Sequence, residues 1–514
     1  MTLLLIRDAI ITLSVFGRGT MGIKPPGSRQ LDGAQSAPRF SVLSLGLGAF
    51  FASLLIYAGT VTPFLRYEGI TAFVSTFAHV SLTALFITSA VLILIMIKGT
   101  PLHPAPIMGI GSVLYVLSAA CFCYLALTGT DEPLPLYFGS VACGVGDCLL
   151  CLVWGKLFGR FTLRSALLNV ALACLAASAV YAAITRLPPL IGMGLFMTCA
   201  TVAVIVPLLT RDSSRADTAN KLPANVDAPT TLRALASFAD VITRPALGLL
   251  VFAFVMGLTC YTFVNIFDTY LTTSVIAAAA LAACAFMRLK RPLTRLLYRD
   301  LIPLLAITTL AVPTIATALF GESIVSMFFT LLLYTFAAFL TLSTLCAIAN
   351  ASEFSSEFIF ATALALFALA SLAGLATSEV LSPVMANVVV TVVTTLYAFL
   401  MVVSRDFESN DPSADQLISS DTGTSSAQSR QQNAAQRREG LAQRCEVLAE
   451  AYSLTAREQE ILLYLAEGHS GAYISDVLFI SPNTVRTHIH NIYRKLEVSS
   501  REDVLRMTKD RDAE

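Results

Sequence analysis

Leu454-Thr455-Ala456-Arg457-Glu458-Gln459-Glu460-Ile461-Leu462, followed by Ile480-Ser481-Pro482-Asn483-Thr484-Val485-Arg486-Thr487-His488, sets the pattern from which the rest of the chain is read. Thr455 with Glu458 three residues later is a capping box that starts a helix. Ile461, Leu462 and Leu465 form its inner face, and Gly468 stands where a terminating glycine belongs. Ser470 caps a second helix with Ile474, Val477 and Leu478 inward, and Ile480 opens a turn. Ser481 caps a third, with Pro482 at the first helical position, where its missing N–H costs nothing. Ser500 with Asp503 starts a fourth that contains Val504, Leu505 and Met507. Two short helices joined by a tight turn, the second well capped, make a helix-turn-helix.

The third helix carries the chemistry. Val485, Ile489, Ile492 and Leu496 recur at helical spacing and face the core. Asn483, Arg486, Thr487, His490 and Arg494 are left on the outer faces. In a helix-turn-helix the early part of this helix enters the major groove of double-stranded DNA. Arginine can bind a guanine edge in bidentate fashion, threonine can touch a thymine methyl, and histidine can donate to a base or phosphate. Arg494 and Lys495, at the far end, suit the phosphate backbone, whose contacts position a protein and specify little. The competing reading is a solvated basic face on a small helical bundle.

Over roughly residues 450–510 the chain resembles the LuxR-type (GerE-like) DNA-binding domain. The matching residues are Leu454, Thr455, Arg457, Glu458, Glu460, Ala466, Gly468, Ile474, Leu478, Ile480, Ser481, Thr484, Val485, His488, Asn491, Ile492, Lys495, Leu496, Val498 and Arg501. The resemblance implies that Arg486, Thr487 and His490 face bases, that Thr484 and Lys495 face the backbone, and that a homodimer forms through the fourth helix, about 500–508. One departure is plain. Where the family has Asn-Lys-Glu-Ile, this chain has Gly471-Ala472-Tyr473-Ile474, so the second helix loses a basic side chain that can touch phosphate. Lower affinity and a greater need for dimerisation follow. No phosphoacceptor receiver domain precedes the motif, so activation through a receiver in this chain is not expected.

The rest of the chain has another character. Of 514 residues 56% are hydrophobic and only 13% charged, against about 45–50% and about 25% in soluble domains. The excess is confined to residues 41–403, while 404–514 has ordinary soluble composition. Net charge is zero, so attraction to DNA must be local. A membrane span needs about 20 mostly apolar residues. Twelve stretches qualify, near 41–60, 70–97, 105–128, 134–157, 164–185, 189–209, 246–268, 270–287, 300–320, 323–349, 357–377 and 381–403. Prolines separate them: Pro63, Pro101, Pro104, Pro133, Pro135, Pro188, Pro189, Pro245, Pro292 and Pro383. Residues 1–40 form an N-terminal tail. Its first stretch, broken by Arg7-Asp8, is too short to span and poorly shaped for a signal peptide, and Met21 is an alternative start.

Lys and Arg in the short loops set orientation. Lys156, Arg160 and Arg164 join spans four and five; Arg211, Arg215, Lys221, Arg233 and Arg244 lie between six and seven; Arg288, Lys290, Arg291, Arg295 and Arg299 join eight and nine. The opposite loops carry Arg66 and Arg186 beside Asp131, Glu132, Glu322 and Glu379. A multi-pass protein of the cell membrane with both termini cytoplasmic follows, and residue 404 onward lies where DNA is. Six plus six spans around the long loop 210–244 resemble the major facilitator architecture, in which two six-helix halves enclose a cavity. The acidic-basic signature of that family between spans two and three is replaced by Lys98-Gly99-Thr100-Pro101-Leu102-His103-Pro104.

Ionisable residues within spans are costly and commonly functional. His79, Asp147 and Asp268 are the candidates for a membrane cavity; the alternative is a buried acid that fixes packing for Asp147, and an interfacial position for Asp268. Ten of eleven cysteines lie in the apolar half, and pairs such as Cys121/Cys123 and Cys148/Cys151 lack histidine partners, so they read as small packing residues. Residues 404–449 form a linker, polar at first and helical toward its end, where Leu441, Cys445, Leu448 and Tyr452 recur at helical spacing. Thirty flexible residues reach roughly 30 Å. The stripe packs on the 450–514 domain or pairs with a second chain.

The expectation is thus an all-α protein: a twelve-helix transmembrane bundle followed by a cytoplasmic four-helix DNA-binding domain. It reads as a membrane-bound one-component transcription regulator whose membrane half senses a small-molecule ligand or a membrane state. A secondary transporter with a regulatory DNA-binding appendage is the alternative, and a passive anchor a third. No nucleophile elbow, phosphate loop, metal-ligand cluster or paired catalytic carboxylates are present, so no enzyme, cofactor or metal is expected.

Overall fold

The computed structural model describes residues 38, 40–59, 70–98, 102–129, 132–218, 232–259, 263–287, 293, 295–320, 324–350, 354–407 and 440–509, apart from 468, 470, 479, 481, 499 and 500. Most of the N-terminal tail and of the predicted linker, and Gly468, Ser470, Ser481 and Ser500, lie outside those residues. The fold is all-α, with no strand among the described residues.

Twelve α-helices fill the apolar region: α1 Leu43–Gly59, α2 Ile70–Ile97, α3 Pro104–Thr128, α4 Pro133–Phe158, α5 Leu163–Ile184, α6 Pro189–Thr218, α7 Leu232–Leu258, α8 Phe263–Phe286, α9 Ile302–Phe320, α10 Ile324–Asn350, α11 Ser356–Val380 and α12 Pro383–Phe407. A short π-helical turn, Arg295–Leu301, leads into α9. Over their described residues eight of these helices are long and apolar enough to cross a membrane, and α1, α7 and α12 contain shorter apolar stretches. Large apolar side chains are also exposed along the outside of the bundle, among them Val113, Leu134, Val392 and Phe399. In water such a belt would drive aggregation; against lipid it is the ordinary surface.

The packing repeats. In the first six helices α1 meets α5 and α6, α3 meets α4 and α6, and α2 meets α4. Adding six to each number gives the contacts of the second set: α7 with α11 and α12, α9 with α10 and α12, α8 with α10. The cross-contacts obey the same rule, since α2–α11 pairs with α5–α8 and α4–α11 with α5–α10. Two halves of one plan are related by a pseudo-two-fold, and the six-plus-six expectation holds.

Two side-chain contacts tie the halves along α11. Lys156 near the end of α4 meets Glu357 at the start of α11 at 2.5 Å, and His79 in the early part of α2 lies 3.4 Å from Glu379 near the end of α11. Helix ends therefore sort as an up-and-down order of spans requires. The crossing of α7 with α11 is the tightest: a Cβ on Gly374 would stand 2.0 Å from the Phe254 carbonyl oxygen, and one on Gly257 2.1 Å from that of Ser371.

Two boundaries differ from expectation. Helix α7 begins at Leu232 and runs through Pro245, whose carbonyl accepts a hydrogen bond from Thr341 Oγ1 of α10 at 3.2 Å, and α8 begins at Phe263. Helix α6 likewise runs through Pro207 to Thr218. Proline is tolerated in membrane helices where neighbouring groups satisfy the local backbone. Helices α6 and α7 thereby take up 210–218 and 232–244 of the predicted loop, and residues 219–231 lie outside the described residues.

The C-terminal region adds α13 over 440–451, α14 Ala456–Ala466, α15 Gly471–Leu478, α16 Pro482–Leu496 and α17 Arg501–Lys509. Ile461, Leu462, Ile474, Ile480, Val485, Ile492, Leu496 and Val504 form one core. Cys445 of α13 is fully buried in it, with Leu441, Leu448 and Tyr452 packed around, so the helical stripe of the linker belongs to this core. Burial pushes the Cys445 thiol up to about 12, with Glu467 adding to the effect, which leaves an inert packing group.

Candidate nucleic-acid interface

Helix α14 opens as the sequence dictates. Thr455 Oγ1 accepts from the Glu458 N–H at 3.3 Å, and Glu458 Oε2 accepts from the Thr455 N–H at 2.8 Å, closing the capping box. Arg457 then binds Glu460 Oε2 at 2.7 Å and the Leu478 carbonyl at 3.1 Å, pinning the end of α15 to the start of α14. These contacts fix where α16 emerges from the turn. Helix α16 ends at Glu497 in the left-handed region (φ 58°), where the Val498 N–H returns to the Tyr493 carbonyl at 3.0 Å.

On α16, Val485, Ile492 and Leu496 are buried and Ile489 packs beside them. Arg486, His490 and Arg494 are exposed at four-residue intervals and form one stripe, with Thr487 exposed next to it. Thr484 is half-buried, and the Asn483 side chain lies outside the described residues. The stripe presents two permanent cations and an imidazole along one helix face, which suits a groove lined by phosphates and base acceptors.

Lys495 has partners within the domain. Its ammonium lies 2.6 Å from Glu458 Oε2 and 3.1 Å from the Ser453 carbonyl. Burial alone would raise the Glu458 carboxyl, but Lys495 and the Thr455 amide and hydroxyl hold it below the usual carboxylate value. Lys495→Ala is therefore expected to lower the melting temperature of a 430–514 fragment, leaving a mostly buried carboxylate unpaired at about 1–3 kcal/mol. The salt dependence of DNA binding should stay unchanged; a drop of one unit in the salt slope would return Lys495 to the phosphate backbone.

His488, half-buried on the inner side of α16, was not singled out as a site by its sequence position. Burial lowers its pKa from 6.5, and the Arg457 guanidinium lowers it further, against a smaller opposing pull from Glu458. The fold thus favours neutral imidazole, whereas the unfolded chain takes up the proton. This stability is present above about pH 6.5 and is lost as pH falls through the folded-state value; the Glu458 contribution is lost at lower pH, below about 4.5. Melting the fragment from pH 7.5 to 4 should show both windows, and His488→Gln should abolish only the upper one.

Tyr473, which takes the place of a polar residue of the family, stacks on His469 with centroids 4.0 Å apart and planes at 10°, and lies 6.3 Å from Tyr464. It braces the start of α15.

The membrane candidates do not converge. His79 is engaged with Glu379 across the halves. Asp147 accepts from the Cys143 thiol at 3.4 Å, and its Oδ1 is buried with no hydrogen-bond partner among the described residues. It follows Gly146, whose Cβ would lie 2.9 Å from the Tyr115 amide of α3, so it sits at a helix–helix contact within the first half. The Asp268 side chain lies outside the described residues. A cavity of about 330 Å³ lies elsewhere, between the two halves. The ten described cysteines are free thiols, and no group of three or more His, Cys, Asp or Glu among the described residues is placed to hold a metal ion.

Helix α16, buried on one side and packed against α15, defines a helix-turn-helix DNA-binding domain. Residues 452–508 match the family described as bacterial regulatory proteins, luxR family, and this region is a LuxR-type domain. Over 49 residues the chain is 55% identical to the transcriptional regulatory protein LiaR of Bacillus subtilis (strain 168), and over 48 residues 50% identical to the response regulator protein VraR of Staphylococcus aureus (strain NCTC 8325 / PS 47). The matches cover 10% and 9% of this chain, and in both cases 23% of the relative, so the chain spans about a quarter of the length of the curated relatives it matches. Among solved structures, the chain is similar to a bacterial homologue of the iron transporter ferroportin in an outward-facing state with soaked iron (TM-score 0.48, 12% identity, 71% of this chain and 97% of that one). It is also similar to the major facilitator superfamily transporter FucP in the outward conformation (TM-score 0.41, 14% identity, 71% and 98%).

Proposed function

We propose that this chain is a membrane-bound one-component transcription regulator: the α1–α12 bundle senses a small molecule or a membrane state, and the domain built on α13–α17 binds promoter DNA from the cytoplasmic face. The observation that carries this reading is the exposed Arg486–His490–Arg494 stripe of a LuxR-type domain, in one chain with a bundle whose outer surface is apolar. In this reading Arg486, Thr487 and His490 face base edges, while Thr484 and Arg494 face the backbone. Pairing of two copies through α17 supplies the second half-site. The Lys and Arg loops support both termini lying inside. Switching requires two states of the bundle that orient or release the tether differently.

The test is genome-wide occupancy of full-length protein beside a soluble 430–514 fragment. Full-length occupancy that varies with growth condition while the fragment's stays constant is the expected result; identical occupancy of both forms under all conditions would overturn sensing. The second reading, a transporter with a regulatory appendage, is favoured by the cavity between two similarly packed halves. It requires substrate uptake that survives deletion of 404–514.

A further inference from the structure

The cavity between the halves takes walls from α1, α4 and α5 of the first half and α7, α8, α10 and α11 of the second. Its lining is almost wholly apolar, with Phe51, Trp154, Phe252, Phe339 and Phe367 prominent and no Asp, Glu, Lys, Arg or His. At about 330 Å³ it falls within the roughly 300–1,000 Å³ of small-molecule sites. One wall residue is out of keeping. Ser274 of α8 is 3% exposed, and its Oγ has no hydrogen-bond partner among the described residues; the Tyr270 hydroxyl one turn away lies near it. A buried hydroxyl left unpaired in an apolar wall costs stability that a ligand group can restore.

We propose that this cavity binds an uncharged, lipophilic small molecule carrying one hydroxyl or carbonyl, which bonds to Ser274 while its apolar body packs against the aromatic walls. An ionised ligand would meet no counter-charge and would lose its hydration without compensation. The inference rests on the sensing reading only for its consequence; binding itself stands apart from DNA. An apolar ligand of this kind partitions into the bilayer, and touching both halves lets it favour one of their relative arrangements.

The chain carries its own reporter, because Trp154 is its single tryptophan and lines the cavity. Full-length protein in lipid nanodiscs is titrated with 8-bromooctan-1-ol, 1-bromooctane and 8-bromooctanoate, whose bromine quenches indole fluorescence on contact. The alcohol should quench saturably, about tenfold more weakly in Ser274→Ala, as loss of one hydrogen bond requires. 1-Bromooctane should bind both forms alike, and Leu342→Phe, which fills the cavity, should weaken all saturable quenching. Non-saturating quenching by the alcohol, no change in either variant, or carboxylate binding as tight as the alcohol's overturns the proposal. Failure here alongside condition-dependent DNA occupancy removes this cavity and leaves sensing standing. Saturable binding alongside occupancy identical to the fragment's upholds the cavity and removes sensing.

Discussion

Arg486→Ala is expected to weaken binding of the 430–514 fragment to its preferred site by about 1–3 kcal/mol, or roughly 5- to 150-fold, and to relax selection at one base pair. The side chain is exposed on α16, about a quarter-turn from the core residue Val485, so truncation leaves the fold intact and the loss belongs to recognition. Competition binding over a randomised operator library measures it. Arg494→Ala, eight residues on, should lower affinity for all sequences alike and reduce the salt slope by about one. Equal loss on every sequence for Arg486→Ala would remove its base-reading role and make the two arginines equivalent.

The other large effect lies in the membrane half. Gly374→Val is expected to destroy the α7–α11 contact at a cost above about 3 kcal/mol, the upper end of over-packing penalties, because the obstruction is backbone. A Cβ there would stand 2.0 Å from the Phe254 carbonyl oxygen and 2.8 Å from the Leu258 amide, and neither can rotate away as a side chain would. Full-length protein should fall in abundance and elute as aggregate from size-exclusion chromatography. Gly194→Ala on α6 is the matched control, since nothing lies within 4 Å of the added methyl. Normal abundance and elution of Gly374→Val would show that these helices do not approach so closely.

These two sites differ in how far they could be read from sequence. The Arg486 stripe was legible because Val485, Ile489, Ile492 and Leu496 set a helical phase that leaves its position no alternative. The twelve helices were legible by length and composition. The start of α7 was not, because Pro245 reads locally as a break and only the structure shows the helix running through it from Leu232. The Lys495 contact was hidden for a related reason. Its partner Glu458 was recognised as half of a capping box, but nothing local shows that the same carboxylate receives an ammonium from 37 residues away. The cavity was invisible altogether: its walls come from seven helices whose meeting no local spacing announces. Ionisable residues drew attention to His79 and Asp147, which stand beside Glu379 and at the α3–α4 contact.

The Lys495 ammonium touches the start of α14 through Glu458 and the turn after α13 through the Ser453 carbonyl, so the helix arriving from the linker and the far end of the reading helix share one cation. In mechanical terms the domain is a short lever whose handle is clamped to its blade. A pull on α13 would reach α16 through this contact as well as through the shared core. What a membrane half would alter through such a linkage is the angle at which the reading face meets the duplex, with the chemistry of Arg486 and His490 left as it was.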